Sequence, residues 1–199
     1  MERNFFKTID VRILGEADIF PIIKMLPELK NEWDKAEDYK LNPNKTMLLN
    51  QVQHINFRWS DKKKEPVEYK VLPLWETYKN ILLPVLKKAV EPISYKNGFF
   101  PRVMFAKMLP GSNIPEHIDG SGSSGWIAHK IHIPIVTNQE ATFSVKGKVY
   151  HFEKGKVYEV NNGAMHGAVN GGETARIHLI FEYLDTDIND VPFADFQSV

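Results

Sequence analysis

The sequence predicts a mainly β domain with flanking α-helix, an antiparallel sandwich or open barrel with N-terminal helices over one outer face. Three observations carry that expectation. Beyond residue 98 the chain divides into short runs separated by turn-forming residues, the pattern of successive antiparallel strands. Before residue 98, two stretches place apolar residues at helical spacing. The 199 residues, 43% apolar and 25% charged, have an ordinary globular composition and suffice for one well-packed core. One domain is therefore expected over 1–199. Mixed helix and strand would support it over 1–98, the β core would occupy 99–184, and 185–199 would form a C-terminal tail.

The first helical stretch is 17–36, with Ile22, Ile23, Leu26 and Leu29 at mixed three- and four-residue spacing. Pro21 and Pro27 argue that this helix is broken. Residues 48–59 read as a strand, followed by the charged turn Asp61-Lys62-Lys63-Lys64-Glu65, best taken as a solvated loop. The second helix, 74–90, aligns Trp75, Tyr78, Ile81, Leu82 and Val85 on one stripe, with Pro84 as an expected kink. Strands are then expected at 102–108, 127–136, 141–146, 149–152, 156–160 and 174–184. Their punctuation is Pro110-Gly111-Ser112-Asn113, the run 120–125, Lys146-Gly147, Lys154-Gly155 and Asn170-Gly171-Gly172.

Charge and composition narrow the partners. With 25 basic and 25 acidic residues the chain has no global field to hold a polyanion, so no nucleic-acid partner is expected. There are no cysteines, so any metal site must use His, Asp or Glu. The opening residues place charges where a signal peptide needs an apolar core, and no stretch approaches a membrane span. The expectation is a cytoplasmic protein without membrane contact. Oligomeric state is not legible.

Six of the seven histidines lie between 117 and 178. The informative feature is His117-Ile118-Asp119. In extended chain, residues i and i+2 point the same way, so imidazole and carboxylate converge. His166 follows 47 residues after Asp119, far enough for intervening strands to bring it back. Two imidazoles and one carboxylate on one face of a metal form the facial triad of non-haem iron(II) oxygenases. Taken alone, this spacing also arises without function.

A second set of residues adds weight. Arg176 stands ten residues after His166. In its strand Ile177, Leu179 and Phe181 share one face, and Arg176, His178, Ile180 and Glu182 the other. The strand at 130–136 repeats this, with Ile131, Ile133 and Ile135 opposite Lys130 and His132. Either these polar faces are wet outer surfaces, or they line one shared cavity beside the metal. In a cavity, a guanidinium suits the distal carboxylate of a 2-oxo diacid through paired charge-assisted hydrogen bonds.

The segments His117-Ile118-Asp119, 130–138 (KIHIPIVTN), Asn161-Asn162 through His166, and 176–181 (RIHLIF) resemble the aspartyl/asparaginyl β-hydroxylase family, which includes free-proline hydroxylases. The resemblance is specific over about residues 100–184. It implies a cupin-like double-stranded β-helix (jelly roll) binding Fe(II) with 2-oxoglutarate as co-substrate. By motif position it assigns His117, Asp119 and His166 to the metal and Arg176 to the 2-oxoglutarate carboxylate. It also places His132 near that carboxylate and Lys130 where relatives often have arginine. Ala106 falls where some relatives have a serine near the co-substrate. It further implies dioxygen as reactant and hydroxylation of a small molecule or peptide.

Arg102, Met104, Trp126 and His129 are candidates for lining the substrate pocket, and 120–125 for a flexible loop beside the metal. No catalytic residue is expected beyond the metal ligands. Two other readings remain open. One is a cupin-like metal enzyme that does not use 2-oxoglutarate; the other is a non-catalytic jelly-roll binding module.

Overall fold

The structure, a computed structural model, describes residues 9–33, 52–61, 68–119 and 128–185. Trp126, the 120–125 loop, the lysine run, the end of the first helical stretch and the segment beyond 185 lie outside the described residues.

Two antiparallel sheets face each other. The chain order is β1 (Val11–Glu16), α1 (Phe20–Met25), a 3-10 turn (Leu26–Leu29), β2 (Val52–Asp61), β3 (Glu68–Val71) and α2 (Pro73–Ala89). A second 3-10 turn (Glu91–Ile93) leads to β4 (Gly98–Phe99), β5 (Val103–Met108), β6 (Asn113–His117) and β7 (His129–Val136). The chain ends with β8 (Ala141–Val145), β9 (Lys148–His151), β10 (Lys156–Val160), β11 (His166–Asn170) and β12 (Arg176–Asp185). The major sheet runs β1-β10-β7-β12-β5-β2-β3, with β4 beside β12, and the minor sheet runs β6-β11-β8-β9. Strands that cross repeatedly between two facing sheets are the jelly-roll arrangement.

Strand alternation explains the layering. One face of the major sheet carries Ile55, Phe57, Val103, Phe105, Ile131, Ile133, Ile135, Leu179 and Phe181. Against it pack Trp75, Tyr78, Leu82, Val85, Leu86 and Ala89 of α2, with Ile22, Met25 and Leu29 from the α1 segment. The α2 stripe is the one its spacing predicts, with Ile81 at its margin. Pro84 stands on the exposed side of α2, and the helix runs on past it to Ala89. The first stretch breaks at Leu26-Pro27 as its prolines require, passing from α to 3-10 geometry.

Five strands are not announced by the sequence: β1, β3, β4, β6 and β11. The instructive one is β6, where Pro115 would disrupt an interior strand. Here β6 is the edge of the minor sheet and pairs only with β11, so the missing N–H faces no second partner. Among the described residues no helix is long and apolar enough to cross a membrane.

Candidate metal centre and co-substrate pocket

The second core lies between the sheets, built from Val52, Met104, Ala106, Met108, Tyr158 and Val160 on one side and Phe143, Val145, Phe152 and Ala168 on the other. Into it project the polar residues of β7 and β12. His132, Arg176, His178 and Glu182 are all buried, Arg176 at 3% and His178 at 1% exposure. The wet-surface reading of these faces is thereby excluded.

His117 closes β6 and His166 opens β11, and the two are direct cross-strand partners. Their ring centroids are 4.4 Å apart. Asp119 lies just past β6, where its backbone N–H donates to the Asn162 carbonyl at 3.1 Å. Its Oδ1 is 3.6 Å from His117 Nε2 and 3.8 Å from His166 Nε2. All three donor atoms lie within 4.8 Å of one another. Ligand bonds of about 2 Å require donors about 3 to 4 Å apart, so a small contraction completes the set.

The backbone selects which imidazole nitrogen faces the centre of the candidate triad. His117 Nδ1 is 2.9 Å from the Pro115 carbonyl, and His166 Nδ1 is 2.8 Å from the Ala164 carbonyl. A carbonyl only accepts, so each Nδ1 carries the proton and each Nε2 presents its lone pair. Gly167, beside His166, permits this close strand approach. A Cβ there would meet the Ile114 carbonyl oxygen at 2.9 Å.

The electrostatics favour a cation. Burial of Asp119 works to raise its pKa, but Lys130 and the His117 hydrogen bond outweigh it and hold the carboxyl well below its usual range. Burial pushes the His166 pKa down, against its Ala164 bond and the Asp119 charge, which keeps its Nε2 available. His117 is raised, chiefly by its bond to Asp119. Lys130 Nζ is 3.1 Å from Asp119 Oδ2 and 3.7 Å from Glu182 Oε1, so it bridges the metal-site carboxylate to a buried acid of β12.

Deeper along β12, Arg176 Nε donates to His178 Nε2 at 2.9 Å, and Arg176 Nη2 lies 2.9 Å from His178 Nδ1. A neutral imidazole has one acceptor, so only one of these contacts is a hydrogen bond. Arg176 Nη1 meets the Met108 sulfur, a weak acceptor, at 2.9 Å. Among the described residues no carboxylate pairs with Arg176. Burial pushes its pKa down to about 9, still cationic at neutral pH. His132 lies beside it through His178, with the two Nδ1 atoms 3.5 Å apart, and its ring meets Phe143 and Phe152 edge-on. Burial first, then the Arg176 charge, depress both imidazoles well below the usual range, so both are neutral.

The remaining sequence candidates divide. Met104 lies in the inter-sheet core, and Arg102 stacks on Trp59 with its Cζ 3.8 Å from the ring centroid. His129 is not brought to the triad. It shares the helix-covered face of β7 with Ile131, its Nε2 lying 2.6 Å from Tyr95 Oη and its Nδ1 against Glu159, itself paired with Arg12. Parity along β7 could have shown this, since His129 is out of step with Lys130 and His132. His178 and Glu182 are site neighbours that the motif reasoning passed over, although parity along β12 already placed both on the face of Arg176.

A jelly roll with a two-histidine, one-carboxylate face and a buried guanidinium behind it defines an Fe(II)/2-oxoglutarate-dependent oxygenase. More narrowly, the chain belongs to the aspartyl/asparaginyl β-hydroxylase family, whose sequence model matches residues 75–186. No curated protein matches it. Among solved structures it is similar to a 2OG-Fe(II) oxygenase family oxidoreductase from Burkholderia pseudomallei, with TM-score 0.54, 17% identity, and 81% and 87% of the two chains covered. It is also similar to AviO1 from Streptomyces viridochromogenes, with TM-score 0.54, 13% identity and 96% of each chain covered. The viral collagen prolyl hydroxylase of Paramecium Bursaria Chlorella virus-1 aligns with TM-score 0.50 and 10% identity over 90% and 98% of the chains. At these identities the structural likeness establishes the shared fold.

Proposed function

We propose that this oxygenase hydroxylates a C–H bond of an amino acid, free or within a peptide. In this reading His117, Asp119 and His166 hold Fe(II), and Arg176 anchors the distal carboxylate of 2-oxoglutarate. The observation that carries the reading is the fully buried Arg176 guanidinium with no acidic side chain beside it among the described residues. Burying a cation without an anion is costly, and a dicarboxylate whose other end meets the metal supplies the missing charge. A cupin-like metal enzyme that does not use 2-oxoglutarate has no need of this residue.

The chain's own residues divide the work. Iron(II) with 2-oxoglutarate and dioxygen supplies the oxidising chemistry when bound. The Pro115 and Ala164 carbonyls hold both imidazoles in the tautomer that presents Nε2. Phe143, Phe152 and Tyr158 wall the pocket with stacked rings, and His132 and His178 stay neutral beside Arg176, adding no competing charge. Excluding water there strengthens the guanidinium's hold on a carboxylate. In this reading Lys130, whose Nζ stands 3.1 Å from Asp119 Oδ2, would meet 2-oxoglutarate at the metal end of its site.

The test is succinate release from 2-oxoglutarate by anaerobically reconstituted iron protein after oxygen is admitted, with and without a panel of amino acids and peptides. Release stimulated by a panel member, with a hydroxylated product, is expected. No succinate under any condition would refute the proposal.

A further inference from the structure

Among the described residues two arginines are buried, Arg176 at 3% exposure and Arg58 at 5%. Arg58 does not belong to the pocket of Arg176. In β2 it pairs with Val103 of β5, a residue of the core beneath the helices, and its guanidinium stands against Trp75 of α2. It therefore faces the helix side of the major sheet, away from the metal triad.

No acid compensates Arg58. Its contacts are two aromatic rings, with Cζ 5.3 Å from the Trp75 centroid and 4.7 Å from that of Phe99. Among the described residues no carboxylate pairs with it, and burial alone pushes its pKa down to about 10, still cationic at neutral pH. The start of α2 adds positive potential. Val71 is paired opposite Arg58, the next N–H, that of Leu72, donates to the Phe57 carbonyl at 3.0 Å, and α2 begins at Pro73 with no side-chain cap. A helix's first turn carries unsatisfied N–H groups and the positive end of its dipole. The acid of that turn, Glu76, is exposed and pairs with Lys79.

Two hydroxyls extend the donor set. Ser60 shares the strand face of Arg58, two residues on, and Tyr69 is directly opposite Ser60. Ser60 is buried, and its Oγ has no hydrogen-bond partner. Tyr69 meets Phe99 edge-on at 5.6 Å, the same ring that lies against Arg58. Burial and the Glu182 charge push the Tyr69 pKa up to about 12, so the phenol keeps a proton to donate. Val71 and Pro73, which border the cluster, are exposed, so it lies one layer beneath the surface.

Burying a cation beside a helix start without an anion is costly, and every group here is a donor. Rings packed against the guanidinium leave its N–H edge for a ligand, which suits a planar carboxylate through paired bonds. The apolar flanks favour an organic acid over a strongly hydrated inorganic anion.

We propose that Arg58, Ser60 and Tyr69, at the start of α2, form a second anion site that takes the carboxylate of a small organic acid. The site lies across the major sheet from the triad, and the inference does not rest on the oxygenase reading.

The experiment is a calorimetric and thermal-shift titration of the metal-free full chain. Acetate and benzoate are the probes, acetamide and benzamide their neutral counterparts, and inorganic phosphate the competing class of anion. At least one of the two acids is expected to bind about tenfold or more tightly than its amide and to raise the unfolding temperature. Arg176→Met should keep that preference, which separates this site from the co-substrate pocket. Arg58→Met should erase it, Arg58→Lys should keep part of it, and Ser60→Ala should weaken the acid severalfold; circular dichroism establishes that the variants fold. Acids that bind no better than their amides, phosphate that binds at least as tightly as either acid, or an undiminished preference in Arg58→Met would overturn the proposal. So would a preference that Arg176→Met abolishes. Should Arg58→Met fail to fold, unchanged acid binding in both Arg58→Lys and Ser60→Ala would overturn it equally.

Discussion

Lys130 Nζ lies 3.1 Å from Asp119 Oδ2, while Asp119 Oδ1 is the oxygen turned toward both metal-site histidines. In the proposed site the two carboxylate oxygens would then have different tasks, one held by an ammonium and one left for the metal. Glu182, on the far side, keeps the ammonium in place. Outer partners that orient a ligand are typically worth 10- to 100-fold in metal affinity. Lys130→Met should weaken Mn(II) or Fe(II) binding by about tenfold, and Lys130→Arg should restore part of it, read by competition with a fluorescent chelator. Unchanged or tighter binding in Lys130→Met would show that charge repulsion, not orientation, dominates.

The backbone bonds to His117 and His166 Nδ1 make a spectroscopic prediction. Cobalt(II)-substituted protein should show two exchangeable, hyperfine-shifted N–H protons, one from each Nδ1, with coordination through Nε2. His166→Ala should lose stoichiometric metal binding while keeping its fold. A variant that still binds one metal per chain with wild-type affinity would remove His166 from the ligand set.

Arg176 is expected to govern co-substrate choice. Charge-assisted bonds to a buried carboxylate contribute about 1.5–3 kcal/mol, so Arg176→Met should weaken 2-oxoglutarate binding by roughly 10- to 150-fold. A 2-oxo monoacid lacks the distal carboxylate. It should bind wild type poorly and the variant about equally poorly, collapsing the preference for the diacid. If wild type binds monoacid and diacid alike, Arg176 has another task.

His132 and His178 predict a pH dependence of stability. Both folded pKa values are depressed well below 6.5, first by burial and then by Arg176, while an unfolded histidine titrates near 6.5. Below that value the unfolded chain binds protons that the folded chain refuses, so stability is fully present above about 6.5 and is lost as pH falls. Each histidine contributes a slope of about 1.4 kcal/mol per pH unit in that range. Urea unfolding of the metal-free protein between pH 7.5 and 5 should show this loss, with a smaller slope in His132→Phe. A flat profile would mean that these imidazoles reach solvent.

The helix layer should be separable from the site. Leu86 is fully buried between α2 and the major sheet. Leu86→Ala should cost about 2–5 kcal/mol of stability by lost burial and the cavity it leaves. Metal affinity, measured at a temperature where the variant remains folded, should be unaltered, because the triad lies on the opposite side of the sheet. A large loss of metal affinity would couple the two layers.

Much of this was open to a reading of the chain. The alternation at 130–136 and 176–182 separates an apolar face from a polar one by sterics alone, and both faces are found as that parity requires. The α2 stripe from Trp75 to Val85 likewise follows from the 3.6-residue period. Parity along β7 also places His129, a substrate-pocket candidate, on the helix side, where it meets Tyr95, and not on the polar face with Lys130 and His132. Edge strand β6 escapes such reading because Pro115 speaks against a strand, and only its position at a sheet edge makes it tolerable.

By itself the sequence determined which residue types were available to a metal, with no thiolate among them, and which side chains share a strand face. Those are local facts, set by covalent order and by the two-residue repeat of extended chain. Only the tertiary structure decided that the polar faces of β7 and β12 are interior, because burial depends on the minor sheet closing over them. It alone made His117 and His166 neighbours, since the register of β6 on β11 joins residues 49 apart in the chain. It alone turned Lys130 toward Asp119, because a long cation settles on the nearest carboxylates, which come here from different strands.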